Sequence, residues 1–553
     1  MLFHLLRPGS CLWVLLLPFS SFAQVADTPE SIAKNILTMN CAGCHSPQVN
    51  LGAVGDILNV RQMIAAGLIR PNNSAGSVIY QSIAANRMPI GTPIDEISKK
   101  AVAAWIDAGA KDFSEGANAG NKPSERPAVS IATTLSRIVE DIKTVPASDR
   151  RFMRYLLVNH ALRSTIITEI RKPLFAKAVA KGLNSVHWQR SLGVPVDVDQ
   201  EQSAVRVDLR QFSMSSSEWN QAAEGYPYLS QLSGSSLRAI QSATQSQTPV
   251  LRADFFVRAI SQPDLYARLL DLPDNLVDLE SRLGVDALRN IRRGEVIRSG
   301  FKESGVSFSN RVMERHQGRF GAYWKSYDFL TSDGSQNVFR NPLGPLVADD
   351  PSVLFGEDNA FQHNGGEVIF TLPNGLHGYM LVDAAGNYLA VAPTEIVQDP
   401  SRRDRVVTNG TSCFSCHTAG WIPKADDVRG NSSSRRFGNS ALNSIRRLYA
   451  APATLDAAFQ KDIADYLEIN KKMGIMPAQG EPVSTVTLYY DGDLTVADMA
   501  AELETTEAEL NGILDRNSSL KRSLGRVRNG KYSVRRSNFE SNFNTLLRAV
   551  RGR

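Results

Sequence analysis

The chain has 553 residues, a formal charge of +5 and a hydrophobic content of 42%, which excludes a disordered chain and leaves room for about two to four domains with cores of their own. No block interleaves basic and aromatic residues, so no nucleic-acid surface is expected, and the mild positive balance is read as favouring solubility. The absence of a P-loop, a dinucleotide fingerprint and a nucleophile elbow with triad partners argues against nucleotide-dependent or hydrolytic chemistry.

The chain opens with a leader over Met1–Ala23. It has a short basic start (His4, Arg7), an apolar run from Cys11 to Phe19, and small Ser21 and Ala23 before Gln24, the pattern of a cleaved signal peptide. The expected location is therefore periplasmic or secreted. The apolar run is too short for a comfortable span, and Cys11 opens that run rather than following it, so neither a stable membrane span after cleavage nor a lipid anchor is expected. A helix is predicted over Thr28–Asn40, with Thr28 as N-cap, Pro29 at its first position and Glu30 in its first turn. It feeds Cys41-Ala42-Gly43-Cys44-His45. Two thiols three residues apart can each add to one vinyl group of a single porphyrin, and the adjacent imidazole then reaches the iron. A zinc site would want four ligands, and a redox dithiol has no need of the histidine.

Downstream, Arg87-Met88-Pro89-Ile90-Gly91 places a thioether in a loop, suited to be the distal iron ligand. A second helix is predicted over Ile94–Gly109, with Ile97, Val102, Trp105 and Ile106 on one face. From Ser114 to Ser130 the chain lacks large apolar residues and reads as a linker. Helical periodicity returns over Ala132–Val145 and Asp149–Lys181, broken by Pro146 and Pro173, before a β-rich run at Val205–Leu209. The middle region is rich in aromatics, Trp188, Trp219, Tyr323, Trp324 and Tyr327 among them, most of them expected in a core. Phe361–Thr394 alternates polar and apolar residues around Pro373-Asn374-Gly375 and Ala385-Gly386-Asn387, which predicts an antiparallel meander containing His363 and His377.

A second motif, Cys413-Phe414-Ser415-Cys416-His417, follows this meander. The two motifs use every cysteine outside the leader, so no disulfide framework is expected despite export, and two covalently bound haem c groups with their iron are predicted. In each, the cysteines Cys41, Cys44, Cys413 and Cys416 attach the cofactor and His45 and His417 are proximal ligands. The distal ligand of the first is expected to be Met88. For the second the choice stays open among Met476, which precedes Pro477 as Met88 precedes Pro89, and His363, His316 and His377. Beyond it, helices are predicted over Thr495–Leu503, Thr506–Leu520 and Ser537–Arg548.

The order helix, motif, methionine loop, helix resembles a class I cytochrome c. It is closest to the planctomycete-type domains, on Asn86-Arg87-Met88-Pro89 and Ala104-Trp105-Ile106-Asp107-Ala108-Gly109-Ala110, over about residues 25–113. From about Leu135 onward the chain resembles an uncharacterised extracellular haem c domain of planctomycete-type multidomain proteins. The matching runs include Arg252-Ala253-Asp254-Phe255-Phe256, Asn310-Arg311 with Glu314-Arg315-His316, and Gly321-Ala322-Tyr323-Trp324-Lys325-Ser326-Tyr327-Asp328. Phe361-Gln362-His363-Asn364-Gly365-Gly366-Glu367, Leu372-Pro373-Asn374-Gly375-Leu376, and Asn409-Gly410 with Ser412-Cys413 match as well. His363 and His316 match that family's pattern, whereas the positions of Met476 and His377 vary within it. The resemblance implies an architecture and no reaction.

The expected organisation is multidomain: signal peptide 1–23; an all-α class I cytochrome c fold over 24–113; linker 114–130; a mixed α+β domain over 131–400; a second haem c segment over 401–490; and a small helical C-terminal region over 491–553. The expected function is that of an electron carrier between periplasmic redox partners, soluble or membrane-bound. A six-coordinate haem only passes electrons, whereas an open second haem would make the protein an oxidoreductase of peroxidase-like or oxygen-activating type, with His316, His363, Arg311, Arg315 or Glu367 assisting proton transfer.

Overall fold

The computed structural model describes residues 29–42, 45, 54–85, 87–88, 94, 96–113, 129–163, 172–302, 304, 306–307, 309–346, 359–399, 402, 404–476, 480–530 and 532–552. The predicted leader, Thr28, Cys44, Pro89, Pro477 and most of the predicted linker lie outside them.

The N-terminal unit is helical. Pro29–Asn40 packs along Glu96–Asp107, because Ala33, Ile36 and Leu37 recur at helical spacing and meet Val102, Trp105 and Ile106 in one buried cluster. Trp105 is fully buried, stacks on Phe113 at 4.7 Å and donates its indole N–H to Lys111 O at 3.1 Å. The Asp107 carboxylate accepts from the Ser74 backbone N–H at 2.7 Å and its hydroxyl at 2.9 Å, tying the intervening loop to the end of the helix.

Ile131–Thr144 follows, opened by Ser130, whose hydroxyl accepts from the Thr133 N–H. The helical reading of Asp149–Lys181 is corrected at Met153–Leu157, which forms strand β1. All five of its residues are buried, so the run shows no two-residue alternation by which a strand is recognised. β1 lies inside a four-stranded sheet with β2 (Val196–Asp197), β3 (Ala204–Asp208) and β4 (Val250–Arg252), in the order β2-β3-β1-β4, with only the β1–β4 pair parallel.

The second sheet is a six-stranded antiparallel meander: β5 (Ile297–Phe301), β6 (Arg311–Gln317), β7 (Ala322–Asp328), β8 (Gly365–Thr371), β9 (His377–Asp383) and β10 (Tyr388–Leu389). The last three strands realise the predicted meander, and its two turns place Gly375 at φ +88° and Gly386 at φ +83°, where a side chain would be strained. Mixed α+β architecture is thus present in the middle of the chain.

The principal core runs from Leu156 and Phe175 through Trp324 and Phe370 to Cys413, Trp421, Phe459 and Val486, so residues on both sides of position 400 share it. The C-terminal helices Val496–Glu502, Glu507–Arg516, Ser518–Leu524 and Arg536–Val550 bury a second cluster, which also takes in Tyr228 and Phe255 of the middle region. Asn517 divides the predicted Thr506–Leu520 helix: it ends one helix and caps the next, its side chain accepting from Ser519 and Leu520. Among the described residues no helix is long and apolar enough to cross a membrane.

Candidate functional site

At the first motif, Cys41 and His45 are buried in the small helical unit. The His45 N–H donates to Cys41 O at 2.9 Å, and His45 O accepts from Ile57 N at 3.0 Å. Cys44 lies outside the described residues. Met88 is half-buried on the loop after Val78–Ala84, its N–H donating to Ser82 O at 3.1 Å.

At the second motif the short helix Thr411–Cys416 brings Cys413 and Cys416 to the wall of one cavity. Its entry is tightly held. Gly410 sits at φ +81°, where a Cβ would lie 2.6 Å from Ser261 O, and the Thr411 hydroxyl donates to that same oxygen at 2.8 Å. His417 closes the helix, its N–H donating to Cys413 O at 2.9 Å. The ring is fixed from behind: Nδ1 lies 2.9 Å from Gly420 O, and the Gly420 N–H returns a bond to His417 O at 3.0 Å. A carbonyl can only accept, so Nδ1 carries the proton and the metal-binding lone pair is left to Nε2. Nε2 looks toward Glu367 Oε1, 3.4 Å away. Gly420 stands at φ +92°, and a Cβ there would approach Tyr466 Cδ1 at 3.0 Å and His377 Cε1 at 3.3 Å.

The cavity is about 410 Å³, within the roughly 300–1,000 Å³ usual for cofactor and ligand sites. One wall is a single face of the meander. Side chains alternate across a sheet, and the register Phe301↔Arg311, Arg311↔Asp328, Met313↔Ser326, Trp324↔Ile369 and Glu367↔Leu381 puts all of these residues on that face. Each of them lines the cavity. Trp324 stacks on Phe459 with centroids 4.7 Å apart and leans on Trp421 at 5.4 Å, and Ile396, Val397 and Val407 extend the apolar lining. A polar corner remains: Arg311 holds Asp328 through two bonds and reaches the Ser326 hydroxyl at 3.3 Å. Burial disfavours the charged form of Glu367, but the protonated form of the His417 ring, together with Arg311, outweighs it and holds the carboxyl below its usual range. Burial, with Glu367 nearby, pushes the Cys413 thiol well up, and burial also raises Cys416. No disulfide joins them. Two neutral thiols and one outward-facing imidazole nitrogen on an apolar cavity can add across two vinyl groups of a porphyrin and ligate its iron.

The predicted distal ligands are dispersed. His316 follows Glu314 on the far face of β6, where its Nε2–H donates to Glu314 Oε1 at 2.8 Å and Nδ1 accepts from Asn290 at 3.1 Å. His363 packs edge-on against Tyr327, also of the far face, and is not part of the cavity wall. His377 lies near His417 without lining the cavity, stacked on Tyr466 at 4.0 Å and against Trp421 at 4.7 Å. Met476 is 46% exposed and also outside the wall. Arg315 pairs with Asp462. Arg311 and Glu367 are therefore the only two of the proposed proton-handling residues that line the cavity.

Sequence reasoning passed over Met313, the one methionine in the wall among the described residues, and Gly420, the partner of His417. The signal for Met313 is its two-residue spacing from Arg311 within the strand; nothing local marks Gly420 as a histidine acceptor. Comparison of the chain with protein-family models, with curated proteins and with solved structures finds no match.

Proposed function

We propose that the protein is an exported dihaem c-type cytochrome that passes electrons between periplasmic redox partners. The observation that carries this reading is the His417 geometry: its Nδ1 proton is committed to Gly420 O, its Nε2 is turned into a cavity, and the cysteines of its motif line that cavity. The residues fit a covalently attached haem. Cys413 and Cys416 would form the thioethers, His417 would ligate the iron, and Trp324, Ile369 and Leu381 would cover the ring and exclude water. The group would supply a one-electron couple whose potential is set by its axial ligands and burial. At the first motif Cys41 and Cys44 would form the thioethers, and His45 and Met88 would ligate the iron. Purified mature protein is expected to yield two haems per chain with alkali-stable attachment; a chain without covalent haem contradicts the reading.

A second reading, a haem-dependent oxidoreductase, is favoured by the polar corner. Met313 is the only thioether in the wall and His417 the only imidazole among the described residues, while Arg311 and Glu367 supply charge where a small ligand would bind. Met313 would hold the iron of a relay haem, whereas a haem that Met313 does not hold would supply peroxide or oxygen chemistry beside Arg311 and Glu367. Carbon monoxide added to the reduced protein distinguishes the two, by leaving the spectrum unchanged or shifting it.

A further inference from the structure

Three cations stand in the wall of the cavity apart from the Arg311–Asp328 pair, and one of them, Lys325, is drawn to Glu280 at 3.9 Å. Lys424 follows the second motif and is half-buried. Arg87 comes from the first unit, where it immediately precedes Met88 on the same loop. A haem carries two propionate carboxylates. Apolar walls at Trp324, Ile369 and Leu381 could not solvate them and burying an unpaired carboxylate is costly, so the cations of the wall are the groups that would pair with them. Arginine suits this position better than lysine, since its planar fork can hold a carboxylate through two parallel bonds.

Resting on the second haem site proposed above, we propose that Arg87 reaches from the methionine loop of the first domain to pair with a carboxylate of the haem held at His417, coupling the two redox centres. The loop that carries one iron's ligand is then also a contact of the other haem, and one peptide link separates the two functions. Electron passage across it breaks and forms no bond: one electron leaves the ferrous iron of one haem and reduces the ferric iron of the other, and no proton moves. A fixed positive charge at the edge of the second haem also favours its reduced state, because oxidation adds positive charge to the iron.

The test uses the full chain with both haems attached, as Arg87→Ala, Arg87→Lys and Arg87→Glu, with Lys424→Ala beside them. Each is titrated optically for both midpoint potentials, and inter-haem equilibration is followed after flash reduction. The second haem's potential is expected to fall in Arg87→Ala, fall further in Arg87→Glu and stay near wild type in Arg87→Lys, with inter-haem transfer slowed several-fold in the first two. Lys424→Ala is expected to lower the potential without slowing transfer, which separates charge from coupling. An Arg87→Glu protein with unchanged second potential and unchanged transfer overturns the proposal, as does a shift confined to the first haem. A wild-type haem count that Cys413→Ala/Cys416→Ala leaves unchanged fails differently: it removes the second site itself, and the proposal with it.

Discussion

The carbonyl of Gly420 holds the one proton that decides which nitrogen of His417 faces the cavity, and only a residue without a Cβ fits its φ of +92° against Tyr466. Gly420→Ala is therefore expected to cost about 1–3 kcal/mol, read as a lower denaturation midpoint, and, on the proposed function, to perturb the spectrum of the haem at His417 alone. His363 gives a pH prediction. Burial, with Lys325 nearby, pushes its pKa down to about 3 from an ordinary 6.5, so the folded state favours the neutral ring. Its contribution is complete above about pH 6.5 and is lost as pH falls toward 3. Glu314 acts in a lower window. Burial opposes its charge, but Arg298 and His316 hold it at about 2 against an ordinary 4.5, so its contribution is lost as pH falls from about 4.5 toward 2. Denaturation midpoints measured between pH 7 and 5 are expected to decline, and His363→Gln to flatten that decline; an unchanged slope rejects the assignment.

Among the elements, the meander decides what the second site contains, and its register explains what could be read in advance. Cys413, Cys416 and His417 are legible in the sequence because the covalent attachment proposed for them would demand contiguous residues, and the β8–β10 turns are legible because they need Gly375 and Gly386. Which face each strand presents is fixed by pairing across the sheet. Met313 and His316 sit three residues apart in one strand and point to opposite sides, a distinction that becomes visible only once Arg311↔Asp328 is known. The same limit hid β1, whose burial on both faces erases alternation. Trp324 shows the energetic weight of the cavity-facing side: fully packed between Phe459 and Trp421, it is expected to cost about 3–5 kcal/mol on truncation to alanine, measured by chemical denaturation.

Across the whole molecule, a buried ionic network joins the C-terminal helices to the α+β core. Glu502 accepts from Arg252 and Arg536, each at 2.8 Å; Arg252 also grips Asp254, and His160 Nε2 lies 3.0 Å from that carboxylate. Glu502→Ala would leave two buried guanidinium groups short of a partner, and about 3–5 kcal/mol of destabilisation is expected, seen as loss of a single cooperative unfolding transition. The helical C-terminus was legible from its caps, whereas this network spans positions 160 to 536 and has no local signature. Whether each motif covalently holds a haem is read from the haem-to-protein ratio of the purified mature chain beside Cys413→Ala/Cys416→Ala. Two haems falling to one, with the spectrum of the Met88-ligated centre retained, is the predicted result. A ratio unchanged by the double substitution, or a wild-type chain without covalent haem, would contradict it.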